Sequence, residues 1–159
     1  MARASRPHGG DLVSELQPAT PTAAELCGGC LCGDIRFRVR GRPVASVFCH
    51  CTLCRRAAGA PLTAWAMFPL PAFQLERGAL AIYASSPGVE RGFCGRCGTT
   101  LSFSASFLPG LIDLTIASFD EPERLPPQLH MWETRRIPWL QLADELPRHA
   151  ELPPAGEPK

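Results

Sequence analysis

The sequence lacks the features that direct a chain to a membrane, to secretion or to nucleic acid. No apolar stretch approaches the 18 or more residues of a membrane span, and residues 1–25 contain no apolar run resembling the core of a signal peptide. An excess of one charge is also missing, because 16 basic and 15 acidic side chains give a net charge of +1. Such a balance recruits neither nucleic acid nor a membrane surface in bulk. We expect a cytoplasmic protein with neither as a partner.

The cysteine content is too low for a secreted disulfide scaffold. Eight cysteines among 159 residues are about 5% of the chain, below the 8–10% typical of that class. In a reducing compartment, cysteines clustered at short spacings favour metal binding over disulfides. The chain also lacks the βαβ alternation that a thioredoxin-like C-x-x-C redox pair requires. Metal binding is therefore the favoured interpretation of the cysteines.

Composition divides the chain into one domain and two tails. Residues 1–24 mix small, polar and proline residues without periodicity, which predicts a disordered N-terminal tail. The proline-rich residues 147–159 predict a second disordered tail. Residues 25–146 between them are long enough to bury one apolar core.

The residues of this domain predict short strands. Residues 35–40 alternate Ile35, Phe37 and Val39 with arginines, which predicts a strand with one buried face. Turn residues separate further predicted strands at 44–48, 64–68, 73–76, 80–83, 100–103 and 111–117. Residues 139–146 predict one short helix after Pro138. The expected fold class is mainly β, as a single domain with short helical segments.

Seven of the cysteines form three short motifs. They are C-x-C at Cys30 and Cys32, C-x-C-x-x-C at Cys49, Cys51 and Cys54, and C-x-x-C-G at Cys94 and Cys97. Cysteines two apart on an extended segment point to the same face, so both sulfurs can reach one ion. A C-x-C motif and a C-x-x-C motif together make a closed tetrahedron of four thiolates, the usual structural zinc site. Spacing alone leaves open which motifs share an ion.

The middle motif supplies three thiolates, the number of protein ligands that catalytic zinc sites typically use while leaving one position open. Zinc with three thiolates has a formal charge of about −1. Arg55 and Arg56 follow directly, and they can offset that charge or hold a ligand carboxylate in a bidentate contact. Strand alternation turns His50 away from Cys49 and Cys51, which predicts a supporting or packing role for it.

Cys27 leaves one alternative open at this point, since it can serve as the eighth ligand and complete a second site of four thiolates. His130 and Trp132 can equally belong to the core. The roles of Cys27, His50 and His130 stay unassigned.

Three segments, residues 29–37, 49–55 and 93–99, resemble the glutathione-dependent formaldehyde-activating enzyme family, also called the Gfa or centromere-protein-V family. Residues 119–122, 130–132 and 138–139 are similar to its C-terminal pattern. The resemblance runs from about Leu26 to Leu146 and rests on three cysteine motifs in the same order.

The resemblance implies a β-rich, Mss4-like zinc fold with two Zn²⁺ ions per chain. It implies a structural zinc on Cys30, Cys32, Cys94 and Cys97 and a labile zinc on Cys49, Cys51 and Cys54. The implied activity is that of a carbon–sulfur lyase, the reversible addition of glutathione or a related thiol to formaldehyde or another small aldehyde, giving S-hydroxymethylglutathione. Cys27 matches no cysteine of the family pattern.

Two hypotheses from other classes remain. A thiol carrier would bind glutathione through zinc without accelerating its reaction. An interaction module with two purely structural zincs usually has a basic extension. Residues 1–25 have only Arg3 and Arg6 against Asp11, Glu15 and Glu25, which disfavours this class. The sequence assigns no oligomeric state.

Overall fold

The computed structural model describes residues 25–153, so the predicted N-terminal tail lies outside the described residues. The elements are β1 Glu25–Gly29, β2 Arg36–Arg40, β3 Ala45–Cys49, α1 Thr52–Ala58, β4 Thr63–Pro69, β5 Phe73–Arg77, β6 Ala81–Ser86, β7 Val89–Phe93, β8 Thr100–Ala105, β9 Leu111–Thr115 and β10 Leu129–Met131. Short 3-10 helices cover Leu70–Ala72, Ile116–Ser118, Pro122–Arg124 and Glu133–Arg135. The fold is mainly β, as predicted.

Two sheets are formed by these strands. A three-stranded sheet has the order β1-β2-β5, and a seven-stranded sheet has the order β10-β3-β4-β9-β8-β7-β6. Neighbouring strands are antiparallel except β10, which pairs in parallel with β3 and places His130 opposite Phe48. The alternation predicted for β2 is present, because Phe37 and Val39 are fully buried between partly exposed arginines.

The main core is continuous from the three-stranded sheet to one face of the seven-stranded sheet. On β4, Ala66 and Phe68 belong to this core, while Trp65 belongs to a second, smaller hydrophobic cluster. Side chains alternate between the faces of a strand, so the smaller cluster lies on the opposite face of the seven-stranded sheet. Val47 on β3 pairs with Trp65 and belongs to the same cluster.

The C-terminal segment differs from its prediction. Residues 139–146 form no helix in the structure, so the helix predicted there is wrong. The segment is instead held by side-chain contacts, since Asp144 accepts hydrogen bonds from His130 at 3.0 Å and from the Leu146 N–H at 3.1 Å. Beyond residue 146, the His130 N–H donates to Pro147 O at 2.8 Å and the His149 N–H donates to His130 O at 2.9 Å. Pro147 and His149 are therefore hydrogen-bonded to β10.

No helix in residues 25–153 is long and apolar enough to cross a membrane.

Candidate metal centres

The first candidate metal centre brings together Cys30, Cys32, Cys94 and Cys97, whose sulfurs all lie within 4.8 Å of one another. The Sγ–Sγ distances are 3.5 Å from Cys30 to Cys32 and 3.8 Å from Cys32 to Cys94. In a tetrahedral site with Zn–S bonds of about 2.3 Å, neighbouring sulfurs lie about 3.8 Å apart. The four thiols therefore fit one tetrahedral ion.

Two tight turns present these thiols. Gly33, at φ +76°, follows the first pair, and its N–H bonds to Cys30 O at 3.0 Å. Gly98, also at φ +76°, follows the second pair and bonds to Cys94 O at 2.9 Å. Glycine adopts this left-handed conformation without the Cβ penalty. Each turn is thus closed by a backbone hydrogen bond from its glycine to the first cysteine of the pair.

Thr99 links the two halves of this centre. Its hydroxyl oxygen accepts a hydrogen bond from the Leu31 N–H at 3.1 Å and lies 3.2 Å from Cys97 Sγ. Hydrogen bonds from the Thr99 side chain, and then from its backbone N–H, lower the pKa of Cys97 to about 5. Hydrogen bonding that favours a thiolate prepares the ligand for a soft cation.

The second metal centre brings together Cys49, Cys51 and Cys54, again with all sulfurs within 4.8 Å. Cys49 is the last residue of β3, Cys51 is the N-cap of α1, and Cys54 lies in the first turn of that helix. Cys51 Sγ accepts the Cys54 N–H at 3.2 Å, so the cap itself orients one thiol. This short helix was not predicted, and it explains how the C-x-x-C half of the motif turns back on Cys49.

The pKa values of two thiols in the second centre are shifted in opposite directions. Hydrogen bonds from Cys49, and then from Cys54, lower the pKa of Cys51. The pKa of Cys49 is raised, first by its hydrogen bond to Cys51 and then by that to Cys54, with burial adding to the effect. Such coupled thiols release their remaining protons when a cation replaces them.

A buried arginine completes the surroundings of the second centre. Arg91 on β7 is 6% exposed, and its two terminal nitrogens lie 3.7 and 3.9 Å from Cys54 Sγ. Arg55 and Arg56, which follow the motif, do not take this position. They line a cleft of about 500 Å³ beside α1, which Trp139 also lines. The guanidinium in contact with a thiol thus belongs to a residue that the sequence analysis did not select.

His50 lies on the side of β3 away from the thiols, in a buried network. His50 Nε2 is 2.9 Å from His130 Nδ1, and His130 Nε2 is 3.0 Å from an oxygen of Asp144. Because the Asp144 carboxylate only accepts, His130 donates from Nε2 and accepts from His50 at Nδ1. Burial lowers the pKa of His50 and favours its neutral form. The predicted orientation of His50 agrees with this arrangement.

Cys27 belongs to neither centre. It lies on β1, opposite Arg38 of β2, and the metal-compatible groups of residues 25–153 do not include it. The alternative in which Cys27 is an eighth metal ligand therefore has no support in this arrangement.

Comparison with known proteins assigns the chain to a family. The family profile described as glutathione-dependent formaldehyde-activating enzyme matches residues 25–135, more than half of the chain. The chain belongs to the glutathione-dependent formaldehyde-activating enzyme family. The match spans both metal centres and ends before Asp144.

Relatives of the chain carry related names. A Halomonas elongata protein, provisionally named a glutathione-dependent formaldehyde-activating enzyme, is 30% identical over 127 residues, covering 74% of this chain and 80% of its own. A Schizosaccharomyces pombe protein named an uncharacterized lyase is 36% identical over 80 residues, 50% of this chain. The chain spans 58% of the length of that yeast relative.

A crystal structure of a Rhodobacter sphaeroides protein has a similar fold. The TM-score is 0.51 at 23% sequence identity, and the superposition covers 59% of this chain and 87% of the other. This likeness concerns the fold alone.

Proposed function

We propose that the protein binds two zinc ions and promotes the addition of glutathione, or a related thiol, to formaldehyde or another small aldehyde. In this proposal the four-thiol centre is structural and the three-thiol centre is the reactive one. The activity is that of a carbon–sulfur lyase, with S-hydroxymethylglutathione as the product in the formaldehyde case. The family to which the chain belongs and the names of its relatives support this reaction class.

One observation carries the proposal. The three-thiol group of Cys49, Cys51 and Cys54 has no fourth Cys, His, Asp or Glu ligand grouped with it within residues 25–153. Three protein ligands plus one exchangeable position define catalytic zinc sites, whereas structural sites are closed by four. Zinc at such a site supplies an open coordination position that lowers the pKa of an incoming thiol.

The cleft beside α1 suits an anionic thiol such as glutathione. Arg55 and Arg56 both line it, and Arg55 Nε is buried without a hydrogen-bond partner among the described residues. An unpaired buried donor costs about 1–3 kcal/mol, so Arg55 is held beside the cleft at a cost in stability. We assign Arg55 and Arg56 the binding of ligand carboxylates, because guanidinium groups match carboxylate geometry.

The chain's own residues contribute mainly orientation. A thiol held between the cleft arginines and the three-thiol centre presents its sulfur to an aldehyde at a fixed position, which lowers the entropic part of the barrier. The proposal places the reaction in the cytoplasm, because free thiols need reducing conditions.

The rate of the uncatalysed reaction is the reference for the test, because thiols add to formaldehyde without a protein. We would measure the exchange rate between glutathione and S-hydroxymethylglutathione by exchange NMR, with wild-type protein, with Cys51→Ser and with buffer alone. The proposal predicts faster exchange with the wild type and the buffer rate with Cys51→Ser. A protein that binds glutathione in a zinc-dependent way, but leaves the exchange rate at its value in buffer, would instead be a thiol carrier.

A further inference from the structure

Arg91 has an unusual position for an arginine. It lies on β7 between the cross-strand neighbours Tyr83 and Phe103 and is 6% exposed. Its Nε donates to Ser85 Oγ at 3.2 Å, while both terminal nitrogens face Cys54 Sγ. The guanidinium carbon lies 5.0 Å from the centre of the Phe103 ring. These contacts fix the plane of the group and the direction of its donors.

The charge of Arg91 needs a partner, because a buried ion without one is strongly destabilising. Among residues 25–153, no aspartate or glutamate forms an ion pair with it. The Phe103 ring supplies a cation–π contact, which stabilises a desolvated guanidinium. Within the described part of the chain, both terminal nitrogens reach Cys54 Sγ, which carries a negative charge when the thiol is a metal-bound thiolate.

We propose that Arg91 is the fixed counter-ion of the three-thiolate metal centre and that it makes this centre receptive to an anionic thiol. Zinc with three thiolates has a formal charge of about −1, and the guanidinium brings the buried assembly to neutrality. A fourth thiolate then joins a neutral assembly rather than an anion. The inference rests on the proposed function, since it requires a metal at Cys49, Cys51 and Cys54.

The arginine next to the four-thiol centre, unlike Arg91, is exposed to solvent. This arginine, Arg96, has a side chain 71% exposed and is paired with Asp34 at 2.8 Å, and Cys32 is exposed. Water rather than a buried cation screens the charge of that centre. A closed centre accepts no further anion, so it has no need of a counter-ion directed at a ligand.

Arg91 acts through Cys54 and is therefore a positioning residue whose effect appears in metal and ligand affinity. Residues that hydrogen-bond to metal ligands typically change metal affinity 10- to 100-fold when removed. We expect Arg91→Met to weaken the second zinc by about that factor, measured by competition with a chromophoric chelator. Arg91→Lys retains the charge but not the paired donors, so its affinity should be intermediate. Arg96→Met is the matched control and should bind both zincs as the wild type does.

The absorption spectrum of the cobalt-substituted protein distinguishes hydrogen bonding of Arg91 to a metal-bound thiolate from a purely structural role of Arg91. Loss of two N–H donors to Cys54 raises the energy of the sulfur lone pairs, so the thiolate-to-cobalt absorption band of the second site should move to lower energy in Arg91→Met and Arg91→Lys. Retained glutathione, counted by native mass spectrometry, should fall in both variants. If Arg91→Met does not fold, the position of the thiolate-to-cobalt band in Arg91→Lys tests the inference.

The outcomes distinguish the two proposals. A wild-type protein that holds one metal only overturns the proposed function and this inference together. A wild type with two metals, and Arg91 variants with unchanged zinc affinity and an unchanged cobalt band, overturn the inference alone. A selective loss at the second site with a shifted band supports it.

Discussion

The two cysteine centres occupy different environments on opposite faces of one sheet. Cys30 and Cys94 are part of the main hydrophobic core, whereas Cys49 and Cys54 belong to the smaller cluster around Trp65. Loss of the first centre therefore disturbs the core of the fold, and loss of the second disturbs mainly its own surroundings. The difference favours a stabilising role for one centre and a chemical role for the other.

Buried charge also distinguishes the two faces. Arg91 and Asp113 are buried on the face that carries the three-thiol centre, whereas the buried histidines His50 and His130 form the network on the other side of β3. Buried charges without a partner of opposite charge reduce stability. Burial raises the pKa of Asp113, so the ionised form of this side chain reduces the stability of the face that carries the three-thiol centre.

The largest expected effect comes from breaking the closed centre. Cys97→Ser should abolish the structural zinc and with it most of the folding free energy that the ion supplies, since apparent affinities at such sites are about 10–16 kcal/mol. The variant should be unfolded or aggregated, as shown by loss of the cooperative thermal transition. A Cys97→Ser protein with the wild-type transition would contradict the division between the centres.

Breaking the open centre should affect function more than folding. Cys51→Ser should lose one zinc of two and all acceleration of thiol addition, and it should keep a cooperative thermal transition. Metal analysis together with differential scanning calorimetry checks both parts. If Cys51→Ser and Cys97→Ser lowered the transition temperature equally, the two centres would have the same role.

A pH-dependent effect is expected at Asp113. Burial raises the pKa of this carboxyl from 3.8 to about 7 in the folded protein. Between pH 4 and 7 the unfolded chain releases this proton while the folded chain retains it, so stability falls as the pH rises through this window. Asp113→Asn removes the penalty, and we expect it to stabilise the fold by up to about 4 kcal/mol above pH 7.

The gain should be much smaller near pH 4, where the carboxyl is protonated in the folded state and roughly 40% protonated in the unfolded chain. Urea unfolding at pH 4.5 and pH 8 measures the difference. Equal gains at both pH values would show that shape or packing, rather than ionisation, is responsible. No gain at pH 8 would show that Asp113 has a stabilising partner when ionised.

The smallest effect is expected at the exposed ion pair of the closed centre. Arg96→Met removes contacts to both carboxylate oxygens of Asp34 at 2.8 and 2.9 Å, but both side chains are largely exposed. Exposed ion pairs contribute little to stability. The thermal midpoint and the zinc content should therefore be those of the wild type, and a loss of zinc would assign Arg96 a role in metal retention.

The sequence predicted the strands better than the short elements. Strict alternation marked β2, but α1 has seven residues and its signals are a cysteine N-cap and Gly59 at φ +62°, which are weak compared with a periodic apolar face. The helix predicted at 139–146 has helical composition, yet contacts of Asp144 with His130 and the Leu146 N–H override it. Local propensity therefore failed where side chains bind distant partners.

The grouping of the cysteines was predicted by motif and resemblance together. Spacing identified the cysteine pairs, whereas their pairing into centres came from the family pattern. Arg91 was missed although Val89, Arg91 and Phe93 alternate on one face of β7, which is a signal for a buried arginine. Nothing in the sequence shows that Cys54, 37 residues earlier, faces it.

A native mass spectrum with and without glutathione tests the central claim most directly. The account predicts two zincs per chain and one glutathione retained only by the two-zinc species, because only the three-thiol centre has an open position. Two zincs that ignore glutathione would contradict it and would indicate two closed centres in a binding module.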